Sequence, residues 1–168
     1  MDMNKIIIIA GSPASGKTTY GKIIAEKRKA FFLDIDTVTE TLIRTALKES
    51  GKNENDRDSS YFKKTYREPI YDTLFKIAAE NVLWTDVVIA GPFTKELRIS
   101  DWPEILQEKL HSNVEIHYVY CSPSVRLERI RQRGEFRDIQ KLKEWETINS
   151  YYGEEDRPVF QHTFVDTT

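Results

Sequence analysis

The first eighteen residues constrain this chain more than any other segment. Lys5–Ala10 is one lysine and then a continuous run of four isoleucines closed by alanine, and Gly11-Ser12-Pro13-Ala14-Ser15-Gly16-Lys17-Thr18 follows it directly. An apolar run without alternation is how a strand covered on both faces reads, and such strands belong to parallel sheets packed between helices. The octet has the form G-x-x-x-x-G-K-[ST], and it stands where that form has physical meaning, after a strand and at the start of a helix. Its glycines let successive backbone N–H groups converge into an anion nest. The positive end of the following helix adds to that field.

The rest of the sequence fits an α/β reading. Helical spacing is predicted from about Gly16 to Lys29, with Tyr20, Ile23, Ile24 and Lys27 on one stripe. A short strand is expected at Ala30–Leu33, running into Asp34-Ile35-Asp36, with Thr37 to Glu40 as a capping box for the next helix. Lys48 to Ser60 holds no large apolar side chain and reads as a surface excursion. A helix then runs to about Val82, with Pro69 marking a start or kink. Further strands are expected at Asp86–Ala90, Val114–Cys121 and Gln161–Asp166. Between them, one helix is capped at Ser100 or Asp101, and an arginine-rich helix is broken by Gly134 and resumes from Asp138 to Tyr151. Five strands with intervening helices predict one doubly wound domain over 1–168, carrying an excursion at about 37–68 and a small helical lid at about 123–143.

Composition narrows the function. The 25 basic and 27 acidic side chains nearly balance, which argues against a partner such as duplex nucleic acid, whose binding needs excess cations. Cys121 is the single cysteine, so an internal disulfide scaffold is excluded. The apolar run at residues 6–10 is too short for a signal-peptide core or a membrane span. A cytoplasmic protein, monomeric or homodimeric and without a membrane partner, is the expectation.

The loop itself predicts a bound nucleotide, held by Gly11, Ser12, Ala14, Ser15, Gly16, Lys17, Thr18 and Thr19. Lys17 would bridge the outer phosphates as a catalytic cation, and the Thr18 hydroxyl would ligate Mg²⁺. Asp34 and Asp36 sit at the C-terminal rim of the second strand, where alternation would point them the same way. One is expected to support the metal (Asp34) and the other to take the proton of an acceptor hydroxyl (Asp36). The third strand ends in Gly91-Pro92-Phe93 without a carboxylate, which leaves Asp34 as the metal-supporting candidate. From Arg126 to Lys143 seven basic residues face three acidic ones, and Arg126, Arg129, Arg133 and Arg137 recur at helical spacing. A planar guanidinium suits a migrating phosphoryl group, so Arg133 and Arg129 are functional candidates. Gly91 and Phe93 are candidates for the acceptor pocket, and Arg44 and Arg67 are cations able to hold a phosphate of the acceptor. Trp84, Trp102 and Trp145 read as packing residues. His111, His117 and His162 show no ligand spacing, and Cys121 reads as a small core residue.

With these pieces placed, the chain resembles the P-loop kinases of the group that holds shikimate kinase, gluconate kinase, chloramphenicol phosphotransferase and the nucleoside monophosphate kinases. The resemblance rests on Gly11–Thr18, on Phe32-Leu33-Asp34-Ile35-Asp36 and on Pro123, Arg129, Arg133 and Gly134. It implies a three-layer fold with a five-stranded parallel sheet in the order 2-3-1-4-5. It also implies Arg129 against the adenine, Arg133 at the phosphates, and Asp36 on the acceptor hydroxyl. The implied activity is transfer of the γ-phosphoryl group of ATP·Mg to a small-molecule hydroxyl on a sugar acid, a shikimate-like compound or an antibiotic-like compound. Two alternatives stay open: a nucleoside, nucleotide or nucleic-acid 5′-end acceptor, and a nucleotide-dependent switch or hydrolase with a protein partner. Shikimate kinases carry Gly-Gly where this chain has Gly91-Pro92, and Asn55-Asp56-Arg57-Asp58 faintly echoes a gluconate kinase loop.

Overall fold

A computed structural model describes residues 3–147 and 157–168. In chain order the elements are β1 (Lys5–Ala10), α1 (Lys17–Arg28), β2 (Phe31–Asp34), α2 (Ile35–Glu49), α3 (Ser60–Thr65), α4 (Arg67–Asn81), β3 (Val87–Gly91), α5 (Trp102–Leu110), β4 (Asn113–Tyr120), α6 (Pro123–Arg133), α7 (Ile139–Lys143) and β5 (Thr163–Asp166). The five strands form one sheet in the order β2-β3-β1-β4-β5. Every neighbouring pair is parallel. This is the expected P-loop order, and it puts the C-terminal ends of β1, β2 and β3 side by side, with Asp34 in register with Ala90 and Ala10 with Gly91.

The isoleucine run is continuous because both faces of β1 are covered. Ile6, Ile8 and Ala10 belong to a core built with Leu47 of α2, Leu74 and Ala78 of α4, and Leu106 of α5. Ile7 and Ile9 belong to a second, smaller core with Ala25 of α1 and Val88, Ala90 and Val119. The sequence stripe on α1 is shifted from the face actually buried. Gly21 and Ala25 are the buried residues, whereas Ile23 is 43% exposed, because small side chains let the helix lie close to the sheet.

Other boundaries differ for local reasons. The helix expected up to Val82 is two helices that meet at Tyr66, and Pro69 sits in the first turn of α4, where a missing N–H leaves no bond unmade. The segment after Gly134 forms a 3-10 turn at Phe136–Asp138 and then α7, and the expected continuation through Tyr151 falls on 148–156, outside the described residues. Trp102 is buried as expected, but Trp84 is 81% exposed, beside the start of β3. Cys121 is buried at the end of β4. Among the described residues no helix is long and apolar enough to cross a membrane.

Candidate active site

The loop after β1 curls against the end of β4. A Cβ on Gly11 would lie 2.2 Å from the carbonyl oxygen of Val119, so the backbone approach requires glycine there. Gly16 caps the N-terminus of α1. Lys17 folds its ammonium back onto the loop and donates to the carbonyl of Ser12 at 2.6 Å. Burial of that ammonium lowers its pKa from 10.5 to about 8, against the pull of Asp36 and Asp34, while Arg133 and Arg126 push it further down. The Oγ of Ser15 is buried and has no hydrogen-bond partner among the described residues. A desolvated cation and an orphaned hydroxyl in one loop describe a cradle that an anion completes. These residues fit a nucleotide triphosphate.

Asp34 and Asp36 both reach the site, but not through strand alternation. β2 ends at Asp34 and α2 starts at Ile35, so Asp36 lies in the first helical turn. The expected capping box at Thr37 is therefore inside the helix, and Asp34 is its N-cap. The Oδ1 of Asp34 accepts from the backbone N–H of Asp36 at 2.9 Å and of Thr37 at 3.3 Å. Its Oδ2 accepts from the Thr18 hydroxyl at 2.7 Å. One carboxylate thus starts a helix and joins the phosphate loop to the second strand. Thr18 and Asp34 supply hard oxygen donors of the kind Mg²⁺ takes when phosphates and water complete its shell.

The arginines divide by role. Arg126 is buried, donates to the Cys121 carbonyl at 3.2 Å and lies over the Trp145 ring. Arg129 reaches the loop, donating to the Ala14 carbonyl at 3.3 Å and to the Thr167 carbonyl at 2.6 Å, and the Thr167 hydroxyl in turn donates to the Ser15 carbonyl. Arg133 forks onto Asp138, at 2.7 and 2.8 Å, and Asp138 is only 1% exposed. Arg137 extends from the 3-10 turn to Asp36, at 2.8 Å, and lies 3.9 Å from Glu40. That Arg137 meets the candidate base was not legible in the sequence beyond its spacing of four from Arg133. Lys141 on α7 pairs with Asp58 of the excursion at 3.1 Å.

A cavity of about 770 Å³ unites these groups, with Lys17, Thr18, Asp34, Asp36, Arg129 and Arg133 among its lining residues. It runs on to Arg67 and Gly91, two of the acceptor candidates. Arg67 forks onto Glu96 at 2.8 and 2.6 Å and lies 4.7 Å over the Tyr71 ring. Two acceptor candidates are corrected. Arg44 pairs with Glu54 on the surface and does not line the cavity, because its position on α2 faces solvent. Phe93 is fully buried, with its ring 4.8 Å from that of Tyr71 and 5.4 Å from that of Trp102. Its backbone takes φ 48°, held by a hydrogen bond from its N–H to the Tyr71 hydroxyl, so it packs beneath the pocket rather than into it. Gly91 makes that possible, since a Cβ there would lie 2.9 Å from the Phe93 ring. Gly91→Ala is therefore expected to force the ring out of place and destabilise the fold by about 1–3 kcal/mol, seen as a lower midpoint in urea denaturation.

A profile of the family described as AAA domain matches residues 6–154. Shikimate kinase of Bacillus cereus is 25% identical over 170 residues, covering 98% of this chain and 89% of the relative. Among solved structures, a gluconokinase from Sinorhizobium meliloti aligns with a TM-score of 0.60 at 19% identity, covering 99% of this chain and 83% of that one. A sugar kinase from a Janibacter species aligns with a TM-score of 0.62 at 14% identity, covering 97% and 85%. The two structural likenesses carry the fold.

Proposed function

This chain belongs to the AAA domain family, and from that premise we propose that it is an ATP-dependent kinase acting on a hydroxyl of a small molecule. The observation that carries the reading is a single cavity lined at one end by the phosphate loop and at the other by Asp36 and Arg67, with Arg133 also in its wall. A nucleotide held by Gly11–Thr18 would put its terminal phosphate beside Lys17. The acceptor hydroxyl would give its proton to the Asp36 carboxylate as its oxygen bonds to phosphorus, and the bond from phosphorus to the departing ADP oxygen breaks. Lys17 and Arg133 would spread the negative charge that builds on the migrating group. Mg²⁺, when bound at Thr18 with Asp34 behind it, neutralises charge on the phosphates. The segment 123–143 acts as the lid that excludes water. Names of kinases among the relatives support the class, and the Gly91-Pro92 pair argues against shikimate as the acceptor. Gly91-Pro92-Phe93 at the end of β3 offers no glutamine to orient a water, which favours transfer over hydrolysis.

The test is ADP release with Mg·ATP against a panel of hydroxylated compounds, where at least one acceptor is expected to raise the rate far above the acceptor-free background. A rate that no acceptor raises, with rapid release of phosphate instead, would return the chain to the hydrolases.

The two functions of Asp34 can be separated by substitution. Asparagine caps a helix as well as aspartate does, so Asp34→Asn is expected to leave the melting temperature nearly unchanged. Removal of the charge behind the metal ligand is expected to raise the Mg²⁺ concentration needed for half-maximal turnover by roughly 10–100-fold. Asp34→Ala should add a loss of about 1 kcal/mol in stability from the missing cap.

A further inference from the structure

We propose that the acceptor is an uncharged polyhydroxy compound, and that Glu96 enforces this by keeping Arg67 neutralised. The inference rests on the kinase reading above and narrows it. Of the cations that line the acceptor side of the cavity, four lie within ion-pair distance of a carboxylate. Arg67 forks onto Glu96, Arg137 pairs with Asp36, Lys141 pairs with Asp58, and Arg57 Nη2 lies 3.0 Å from Glu40 but has no hydrogen-bond partner among the described residues. Lys63 and Lys95 also reach the cavity wall, but both are exposed, where water and salt screen them.

Arg67 decides the matter. A ligand carboxylate is held best by two parallel N–H bonds from one guanidinium, and that fork is occupied by Glu96 at 2.8 and 2.6 Å. The Tyr71 ring covers one face of the same group. Both partners of the pair are well shielded, with 22% and 18% of their side-chain surface exposed, so solvent screens the pair only in part. An anionic acceptor would have to displace Glu96 and would still face its charge and that of Asp58. A hydroxyl meets no such conflict, since it both donates and accepts. It can accept from a guanidinium and donate to the carboxylate beside it, and the paired groups present both in alternation. Phe62, Ile70 and Tyr71 give the same end an apolar wall for the carbon face of a ring.

The experiment compares acceptors that share a carbon skeleton and differ in charge: glucitol with gluconate, methyl glucoside with glucuronate, and methyl shikimate with shikimate, each read by ADP release. The wild-type protein is expected to favour the neutral member by at least tenfold in kcat/KM. Glu96→Gln, which keeps the shape but frees the charge of Arg67, is expected to narrow that ratio at least tenfold. A wild-type preference for the carboxylate, or a ratio that Glu96→Gln leaves unmoved, overturns the charge assignment while the kinase reading stands. A panel in which no member accelerates ADP release counts against the kinase reading instead, and the charge assignment is then decided by binding alone. With the phosphate loop filled by magnesium and a non-hydrolysable ATP analogue, sulfate as a probe anion is expected to raise the melting temperature of Glu96→Gln and not that of the wild type. Adding Arg67→Met to Glu96→Gln should abolish that rise. An equal response of wild type and Glu96→Gln, including none in either, overturns the assignment.

Discussion

Asp36→Asn is expected to lower turnover on a competent acceptor by about 10²–10⁴-fold while leaving ATP affinity within a small factor of the wild type. Asparagine has the shape of aspartate but cannot take a proton from a hydroxyl. Among the described residues Asp36 makes no hydrogen bond or ion pair to the loop, although its charge favours the charged form of Lys17. Its side chain is half exposed at the cavity wall, and its ion-pair partner among the described residues is Arg137. Arg137 keeps Glu135 and Glu40 nearby when the Asp36 charge is removed, so the lid retains an anchor. Calorimetry with magnesium and a non-hydrolysable ATP analogue separates binding from rate. Turnover that survives the substitution would move the proton-accepting role away from Asp36, and a matching loss of nucleotide affinity would make its role electrostatic.

Lys17→Met is expected to reduce turnover by 10²–10³-fold or more, because the side chain would contact the group in transit and the departing oxygen together. Its effect on the empty protein runs the other way. Burial holds the Lys17 ammonium well below its ordinary pKa, which means the charge is poorly solvated where it lies. A methionine of similar length removes that cost, so the unliganded variant is expected to unfold at higher urea than the wild type. The wild type should then gain about 2.7 kcal/mol when Mg·ATP is supplied at a hundred times its dissociation constant. The variant should gain far less at the same concentration. Denaturation with and without nucleotide reads both signs at once, and a variant stabilised as much as the wild type would remove Lys17 from the phosphate site.

What the sequence made legible follows from where each signal is encoded. Ile6–Ala10 announced a strand covered on both sides because every side chain in it is apolar, and Gly11–Thr18 announced the anion cradle because its constraint is local to eight residues. The order of the strands came through resemblance, since pairing across the sheet leaves no mark in any one segment. Asp34 and Asp36 were recognisable as a pair, but period-two spacing misread how they meet, because the helix starts one residue after the strand ends. Phe93 follows the strand rim that faces the acceptor, which suggested a pocket residue, yet the space it fills is made by Tyr71 and Trp102 from two other helices. Glu96 gave no signal at all. Its partner Arg67 is 29 positions away, on the far side of β3, and only folding joins them.

The divided carboxylate of Asp34 has a consequence for how the two substrates are felt. One oxygen answers to Thr18 and the other to the opening turn of α2, the helix that carries Asp36 and Glu40. Under the proposed function, tightening at the nucleotide end would reach the first turn of the helix that carries the candidate base. In the kinase proposed above, nucleotide and acceptor would then each change the affinity for the other, by the same factor in either order of arrival.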